Sequence, residues 1–323
     1  MKKYRRVNIE ISNICNLQCN FCPEVHREKT VMQEPLFRKI LAQVAPLTDE
    51  VCLHLMGEPL GHPELSRFVD ICAKFQTPIN LTTNGTLLDE ARREILLRPI
   101  VRQVNFSVHS FEANFGEEKD VTRYLAKLFT FVQEASEKRP DLYINFRVWD
   151  LKDPVSMTRK NAQIREKIEA EYDFSFDPGT VDLKRKKGHR IQGRLYLNFD
   201  SRFEWPSLAL PVRSESGFCH GLSNHFGVHA DGTVVPCCLD KEAVLNLGNC
   251  KDQALDAILK GERAVRMQRG FQEKKCVEEL CQKCDFIKRF DRKGARKPGV
   301  QKAPASTRAG ADFQAPALPS AAE

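Results

Sequence analysis

The chain has 323 residues, of which 41% are hydrophobic, a formal net charge of +7 and twelve cysteines. This length allows a large buried core and predicts one large domain with a smaller one. Residues 287–323 carry eight Lys or Arg against three Asp or Glu, so the rest of the chain is nearly neutral. A broad nucleic-acid-binding face on the folded part is therefore not predicted, and the basic run 184–187 is interpreted as a solvated loop.

The first six residues lead directly into a strand pattern, and no stretch has the character of a signal peptide or a membrane span. The cysteines lie in clusters with spacings typical of metal sites rather than of disulfides. We therefore expect a cytoplasmic protein with reduced thiols and no membrane partner.

Strand and helix patterns alternate along the first two hundred residues. Helices are predicted to begin near Pro35, Pro63 and a capping box at Thr86 and Asp89, and to cover 120–138 and 158–171. The predicted strands are 7–12, 51–56, 79–82, 101–108 and 142–149, with the sixth at either 172–176 or 194–199. The alternation predicts right-handed βαβ units, hence an α/β fold with a partial (β/α)6 barrel of the TIM type. Functional residues are then expected at the carboxyl ends of the strands.

Three cysteines follow the first strand with the spacing C-x3-C-x2-C, at Cys15, Cys19 and Cys22. Three thiolates from one loop can hold three irons of a 4Fe–4S cluster and leave the fourth iron open for a catalytic role. Free thiols or a zinc site are the alternatives. With Phe21 ahead of the last cysteine, this spacing resembles the signature of the radical S-adenosylmethionine (SAM) enzymes.

The resemblance implies SAM as a cofactor and assigns its binding residues. The backbone after the second strand would take the SAM amino group, as the family's Gly-Gly-Glu-Pro element does, although this sequence has methionine in place of the first glycine. Asn84 and Ser107 resemble the family's contacts to the ribose and the carboxylate. Taken alone, Gly-Glu-Pro would indicate only a turn. The residues of the element are Met56, Gly57, Glu58 and Pro59.

Two further polar residues have the period-2 phasing that would point them into the barrel. Arg147 would pair there with a carboxylate of SAM or of the substrate, or else form a salt bridge at the rim. His109 is a candidate general base, but a structural histidine is the favoured interpretation.

A second cysteine set lies in the C-terminal third. The Asp231-Gly232 turn predicts a hairpin that brings Cys219 and Cys237 together, and a C-x2-C pair follows at Cys281 and Cys284. The head of this pattern resembles the SPASM motif found after radical SAM barrels, and the remainder resembles the shorter twitch domain. The resemblance implies a second, auxiliary 4Fe–4S cluster on these four residues.

Several alternatives remain for the C-terminal third. A zinc ribbon would use the same four thiolates, and Cys276 would substitute for one ligand. Cys238 is expected to point away, while Cys52, Cys72 and Cys250 are interpreted as small buried hydrophobic residues. The predicted domains are a radical SAM barrel over 1–205, a twitch or SPASM-type domain over 206–290 and a disordered basic tail over 291–323.

By the same resemblance, the first cluster would cleave SAM reductively to a 5′-deoxyadenosyl radical that abstracts a substrate hydrogen. An auxiliary cluster that accepts the next electron would make the net reaction an oxidation or modification, as in oxidoreductases and maturases.

The implied partners are a small-molecule or peptide substrate and a reducing electron donor such as flavodoxin or ferredoxin. We expect no extra N-terminal domain of the kind that captures leader peptides, which makes a peptide or protein substrate less favoured without excluding it. The alternatives are a non-catalytic iron–sulfur or zinc protein that binds nucleic acid, and a radical SAM enzyme that modifies RNA.

Overall fold

A computed structural model describes residues 4–148, 161–177, 187–200 and 203–290. The start of the predicted helix 158–171, most of the basic run 184–187 and the tail 291–323 lie outside the described residues. All described residues belong to one unit, Met1–Asp291, and the proposed boundary at residue 205 stays a prediction. Within them, every helix is too short or too polar to cross a bilayer.

The described residues form one mixed sheet with the strands β1 Arg6–Ile9, β2 Val51–Cys52, β3 Ile79–Thr83, β4 Val101–Phe106, β5 Tyr143–Val148, β6 Gly188–Gln192, β7 Leu195–Phe199, β8 His225–Val228, β9 Thr233–Val235 and β10 Gly248–Asn249. Strands β1 to β5 and β7 are mutually parallel, which confirms the predicted α/β partial barrel and identifies the sixth parallel strand as β7 rather than 172–176. The strand order in the sheet is β10-β9-β8-β1-β2-β3-β4-β5-β7-β6.

Helices follow most of the parallel strands. Pro35 lies in the first turn of α1, as predicted, but the capping box at Thr86 is wrong because Asp89 itself caps α3 by accepting the Arg92 N–H. The α-helices are α1 Glu34–Val44, α2 Leu65–Lys74, α3 Glu90–Leu96, α4 His109–Phe115, α5 Thr122–Lys138, α6 Ala162–Glu171, α7 Leu255–Leu259, α8 Glu262–Gln272 and α9 Glu279–Gln282.

The two faces of the sheet differ in polarity. Phe106 and Phe146 are fully buried and contact Phe131 and Phe129 of α5, with ring centroids 5.5 and 6.2 Å apart. The residues that alternate with them are amides, hydroxyls and one guanidinium. The helix-facing side is therefore the hydrophobic core, and the concave side is polar.

The C-terminal hairpin continues the barrel sheet. Strands β8 and β9 pair antiparallel around Asp231-Gly232, as predicted. Strand β8 also pairs in parallel with β1, in the register Arg6↔His225 to Ile9↔Val228. The carboxyl ends of β1 and β8 therefore lie at the same edge of the sheet.

Candidate active site

The cysteine loop is the segment between β1 and α1 that carries Cys15, Cys19 and Cys22. It is closed at its base, near the end of β1. Ser12 forms an isolated bridge with Val31. The buried Asn13 side chain accepts the Thr30 N–H at 2.8 Å and donates to the Glu28 carbonyl at 2.8 Å. This closure holds the three thiols of the loop at the carboxyl edge of the sheet.

Two asparagines from other elements donate to the thiols. Nδ2 of Asn114, on α4, lies 3.1 Å from Cys19 Sγ, and Nδ2 of Asn84 lies 3.9 Å from Cys15 Sγ. Burial, reinforced by the charges of Cys19 and Cys15, raises the pKa of the Cys22 thiol to about 12. Three thiols that disfavour each other's ionisation are stabilised as thiolates when a cationic cluster binds them.

The turn after β2 packs directly on the base of the cysteine loop. Gly57 has φ +76°, and a Cβ there would collide with the backbone oxygen of Ser12. Next to it, the Glu58 N–H donates to the Ile14 carbonyl at 2.9 Å. Only glycine fits this approach, so the turn 56–59 lies against Ile14, the residue that precedes Cys15.

The Glu58 side chain joins this turn to the exit of β3. It is buried, and it accepts bonds from Thr83 Oγ1 at 2.6 Å, Asn84 N–H at 2.8 Å and Leu60 N–H at 2.9 Å. Burial raises the pKa of this carboxyl, and the three hydrogen bonds oppose that rise. The carboxylate therefore connects the loops after β2 and β3.

Asn84 and Ser107 lie at the same edge. Asn84 accepts the Thr86 N–H at 2.9 Å and donates to Asn16 Oδ1 at 3.0 Å, so its side chain stands beside the cysteine loop. The partly exposed Ser107 follows β4, and its N–H donates to the Thr83 carbonyl at 2.8 Å. The structure thus brings these residues together, while their contacts to SAM stay predictions.

His109 does not continue β4 but begins α4, so its predicted strand phasing is wrong. Its Nδ1 lies 2.7 Å from the Arg147 carbonyl oxygen, and its ring is 4.8 Å from that of Phe21. Burial lowers the pKa of His109 to about 4. A neutral imidazole in these contacts supports the backbone of β5 next to the cysteine loop.

The concave face of the barrel carries a ladder of side-chain amides across β3, β4 and β5. Asn105 donates to Asn80 Oδ1 at 2.8 Å and accepts from Asn145 Nδ2 at 2.9 Å. Arg147 Nη1 lies 3.3 Å from Thr82 Oγ1, and burial lowers the pKa of this guanidinium to about 9. Complete barrels fill this space with branched apolar residues, so the interior here is suited to a polar molecule.

The second cysteine set gathers near the β8–β9 hairpin and α9. Burial, reinforced by Cys284 and Cys276, raises the pKa of the Cys219 thiol to about 11. Cys281 lies among the same thiols, and burial together with Cys219 and Cys284 raises its pKa well above the ordinary range. Among the described residues, no group of three His, Cys, Asp or Glu side chains is close enough to hold a single metal ion. The thiolates that bind a cubane cluster each bind a different iron and therefore stand further apart.

Two family profiles match these two regions. Residues 9–146 match the Radical SAM superfamily, and residues 219–285 match SPASM, described as an iron-sulfur cluster-binding domain. The chain therefore carries a radical SAM domain. Its cofactors are SAM and a 4Fe–4S cluster, with a further iron–sulfur cluster in the SPASM-type domain, as predicted.

Relatives of this radical SAM protein act on different molecules. It is 29% identical over 101 residues to the PqqA peptide cyclase of Gluconobacter oxydans, and 27% over 141 residues to a SAM-dependent 2-deoxy-scyllo-inosamine dehydrogenase of Niallia circulans. The matches cover 30% and 38% of this chain. The chain spans 28% and 56% of the lengths of these relatives, so their activities and substrates are not transferred to it directly.

A solved structure has the same fold over most of the chain. The structure of BtrN in complex with AdoMet and 2-DOIA superposes with a TM-score of 0.56 at 17% identity. The superposition covers 88% of this radical SAM protein and 94% of BtrN. The shared architecture extends from the barrel into the SPASM-type domain.

The residues that suit a cluster and SAM include some that the sequence did not indicate. Asn114 contacts Cys19 from a helix far along the chain, and no local pattern marks it. Glu10 is fully buried and contacts the turn 56–59 through the Met56 N–H at 3.1 Å. The single acidic side chain within the predicted strand 7–12 is the one sequence signal for Glu10. The buried Cys52, Cys72 and Cys250 are the hydrophobic residues expected.

Proposed function

We propose that this protein cleaves SAM reductively and uses the resulting radical to abstract a hydrogen from a small-molecule or peptide substrate. The observation that carries the proposal is the contact between the cysteine loop and the turn 56–59, through Gly57 and the Glu58 N–H. When bound, the cluster supplies one electron to SAM through its open iron. A turn packed on the loop would place the SAM amino group next to that iron.

The residues of the chain hold and orient SAM. In the proposed arrangement, the carbonyls of residues 56–59 accept hydrogen bonds from the amino group. Asn84 and Ser107 contact the ribose and the carboxylate from the neighbouring strand ends, and Arg147 supplies a positive charge from the concave face. Glu58 acts indirectly, since its three accepted hydrogen bonds hold the turn and the loop after β3 in register.

For the substrate, the polar interior supports a small molecule with several hydrogen-bonding groups. Asn80, Asn105 and Asn145 offer amide donors and acceptors on the concave face. The dehydrogenase and peptide cyclase relatives support a small molecule and a peptide respectively. We favour the small molecule because a buried amide ladder matches a polar ligand that is enclosed on several sides.

The auxiliary cluster is proposed on Cys219, Cys237, Cys281 and Cys284. A cluster with four cysteine ligands has no open iron, so electron transfer is its simplest use. Accepting an electron from the substrate radical would make the net reaction an oxidation. The protein would then need an external low-potential donor, such as flavodoxin or ferredoxin, only for the first cluster.

Iron and sulfide analysis with electron paramagnetic resonance (EPR) tests the proposal on the anaerobically reconstituted protein. We expect about eight irons in the native protein and about four in the Cys15/Cys19/Cys22→Ala variant, from two 4Fe–4S clusters. The native protein with dithionite should release 5′-deoxyadenosine from SAM, and the triple variant should not. A native protein with about four irons that all disappear in the variant would refute the auxiliary cluster. A fully loaded protein that leaves SAM intact would refute the radical function.

A further inference from the structure

Glu10 is a buried carboxylate at the carboxyl end of β1. It is 0% exposed. Its two oxygens accept from Arg27 Nη2 at 2.9 and 3.0 Å, from the Met56 N–H at 3.1 Å and from the Ala230 N–H at 3.2 Å. A carboxylate is stable inside a protein only when its charge is paired and its lone pairs are occupied. Here three separate segments meet that requirement together.

Each donor belongs to a different part of the site. Arg27 lies in the cysteine loop, Met56 begins the turn proposed to bind SAM, and Ala230 lies in the β8–β9 turn. Because β1 stands between β2 and β8 in the sheet, Glu10 lies where these three segments meet. It is therefore placed to fix their relative positions.

Arg27 extends the connection to the SPASM-type domain. Its Nε donates to the Lys241 carbonyl at 2.5 Å, and its N–H donates to Glu242 Oε2 at 3.1 Å. The His26 N–H donates to Glu242 Oε1 at 3.0 Å, and Lys241 Nζ donates to the Glu24 carbonyl at 2.6 Å. The part of the loop that follows Cys22 is thus hydrogen-bonded to residues 241–242.

We propose that Glu10 is a positioning residue for SAM, and that Arg27 and Glu242 make the SPASM-type domain a structural part of the SAM site. The inference rests on the proposed binding of SAM by residues 56–59. The charge-assisted hydrogen bond from the Met56 N–H to Glu10 fixes the orientation of the peptide group at the start of the turn 56–59. It thereby fixes the directions of the carbonyl groups proposed to bind SAM. Removing either Glu10 or Arg27 leaves the other charge buried and unpaired, which releases both the turn and the loop.

The test uses the reconstituted holoenzyme and SAM itself. Glu10→Gln keeps the size of the side chain but lacks the charge and one of the two acceptor oxygens. We expect its Kd and KM for SAM to rise about tenfold or more, as for a lost hydrogen bond to a charged group. The rate of 5′-deoxyadenosine release at saturating SAM should change much less. Glu242→Gln should raise the same constants by a smaller factor, although residue 242 is far from every SAM motif in sequence.

The readouts separate positioning from folding. Kd is measured by equilibrium dialysis with radiolabelled SAM and by the SAM-induced change in the EPR signal of the first cluster, with iron content checked in each variant. Glu50→Gln is the matched control. Glu50 is also buried, at 3% exposure, but it pairs with Arg6 and Arg102 at the amino ends of the strands, away from the proposed SAM site. The control should lose stability and keep its Kd.

Three outcomes decide the inference. A raised Kd in both Glu10→Gln and Glu242→Gln, with full iron content and a normal control, supports it. An unchanged Kd in Glu10→Gln, or an equal rise in Glu50→Gln, overturns it while leaving the proposed function intact. Failure of the native protein to bind SAM would instead refute the SAM site itself, and the inference with it. If Glu10→Gln does not fold, the partly exposed Glu242 still gives a decisive result.

Discussion

We expect Asn114 to set the reduction potential of the first cluster. Its Nδ2 donates to Cys19 Sγ at 3.1 Å. Hydrogen bonds to ligand sulfurs stabilise the more negative, reduced cluster and so raise its potential. If this bond favours the reduced state by about 0.5–1.5 kcal/mol, Asn114→Leu lowers a one-electron potential by about 20–60 mV. Asn84, whose Nδ2 is 3.9 Å from Cys15 Sγ, should contribute less.

The assay is an EPR-monitored redox titration of each variant without SAM, so that ligand binding does not contribute. Because Asn114 Oδ1 also accepts the Gln18 N–H at 2.9 Å, Asn114→Asp serves as a second variant that keeps this acceptor and removes the donor. Its potential should fall at least as far as that of Asn114→Leu. An unchanged potential in Asn114→Leu, or a larger fall in Asn84→Ala, would refute the reasoning.

Gly57→Ala should lower the free energy of unfolding in urea by several kcal/mol, because the new Cβ would collide with the backbone of the cysteine loop. Gly116 is the control, since it has φ +83° and no neighbouring atom within 4 Å, and Gly116→Ala should cost only about 1 kcal/mol. Equal losses of stability in the two variants would contradict this prediction. The pKa of His109 is about 4 in the folded protein and about 6.5 in the unfolded chain. As the pH falls from 6.5 towards 4, the unfolded chain therefore takes up a proton on His109 that the folded protein does not. The free energy of unfolding then falls by about 1.4 kcal/mol for each pH unit. His109→Gln should flatten that slope by one proton, and an unaltered slope would exclude His109 as its source. Cys281→Ala should lose about four irons while the buried Cys72→Ala loses none, and full iron in the first variant would remove Cys281 from the ligand set.

The barrel could be predicted because its strands follow a local rule. Apolar residues alternate along β3, β4 and β5 since one face packs on helices and the other faces the interior. The cysteine spacing and the Asp231-Gly232 turn are also local patterns, and the structure places both where the sequence indicated. Such signals need only a few neighbouring residues to be read.

Strand β2 shows where local rules fail. Alternation predicts a strand over 51–56, yet only Val51 and Cys52 pair. The Thr82 N–H donates to the His54 side chain at 3.3 Å, and the Met56 N–H donates to the Glu10 carboxylate. Side chains thus replace the ladder partners that would have extended the strand. Contacts between residues so far apart in the sequence produce no periodic pattern in it. For the same reason the sequence does not predict the contact of Asn114 with Cys19 or the contacts of Glu10.

The pairing of β8 with β1 has a consequence for biosynthesis. Strand β1 is synthesised long before β8, so one of its two edges has no partner until His225–Val228 have been made. The Ala230 N–H that helps to occupy the Glu10 carboxylate arrives just after that strand. The cysteine loop is therefore expected to reach its final shape, and to accept iron and sulfide, only after β8 and the turn that follows it have been made. A ribosome stalled before β8 would expose an unsatisfied strand edge and three reactive thiols together.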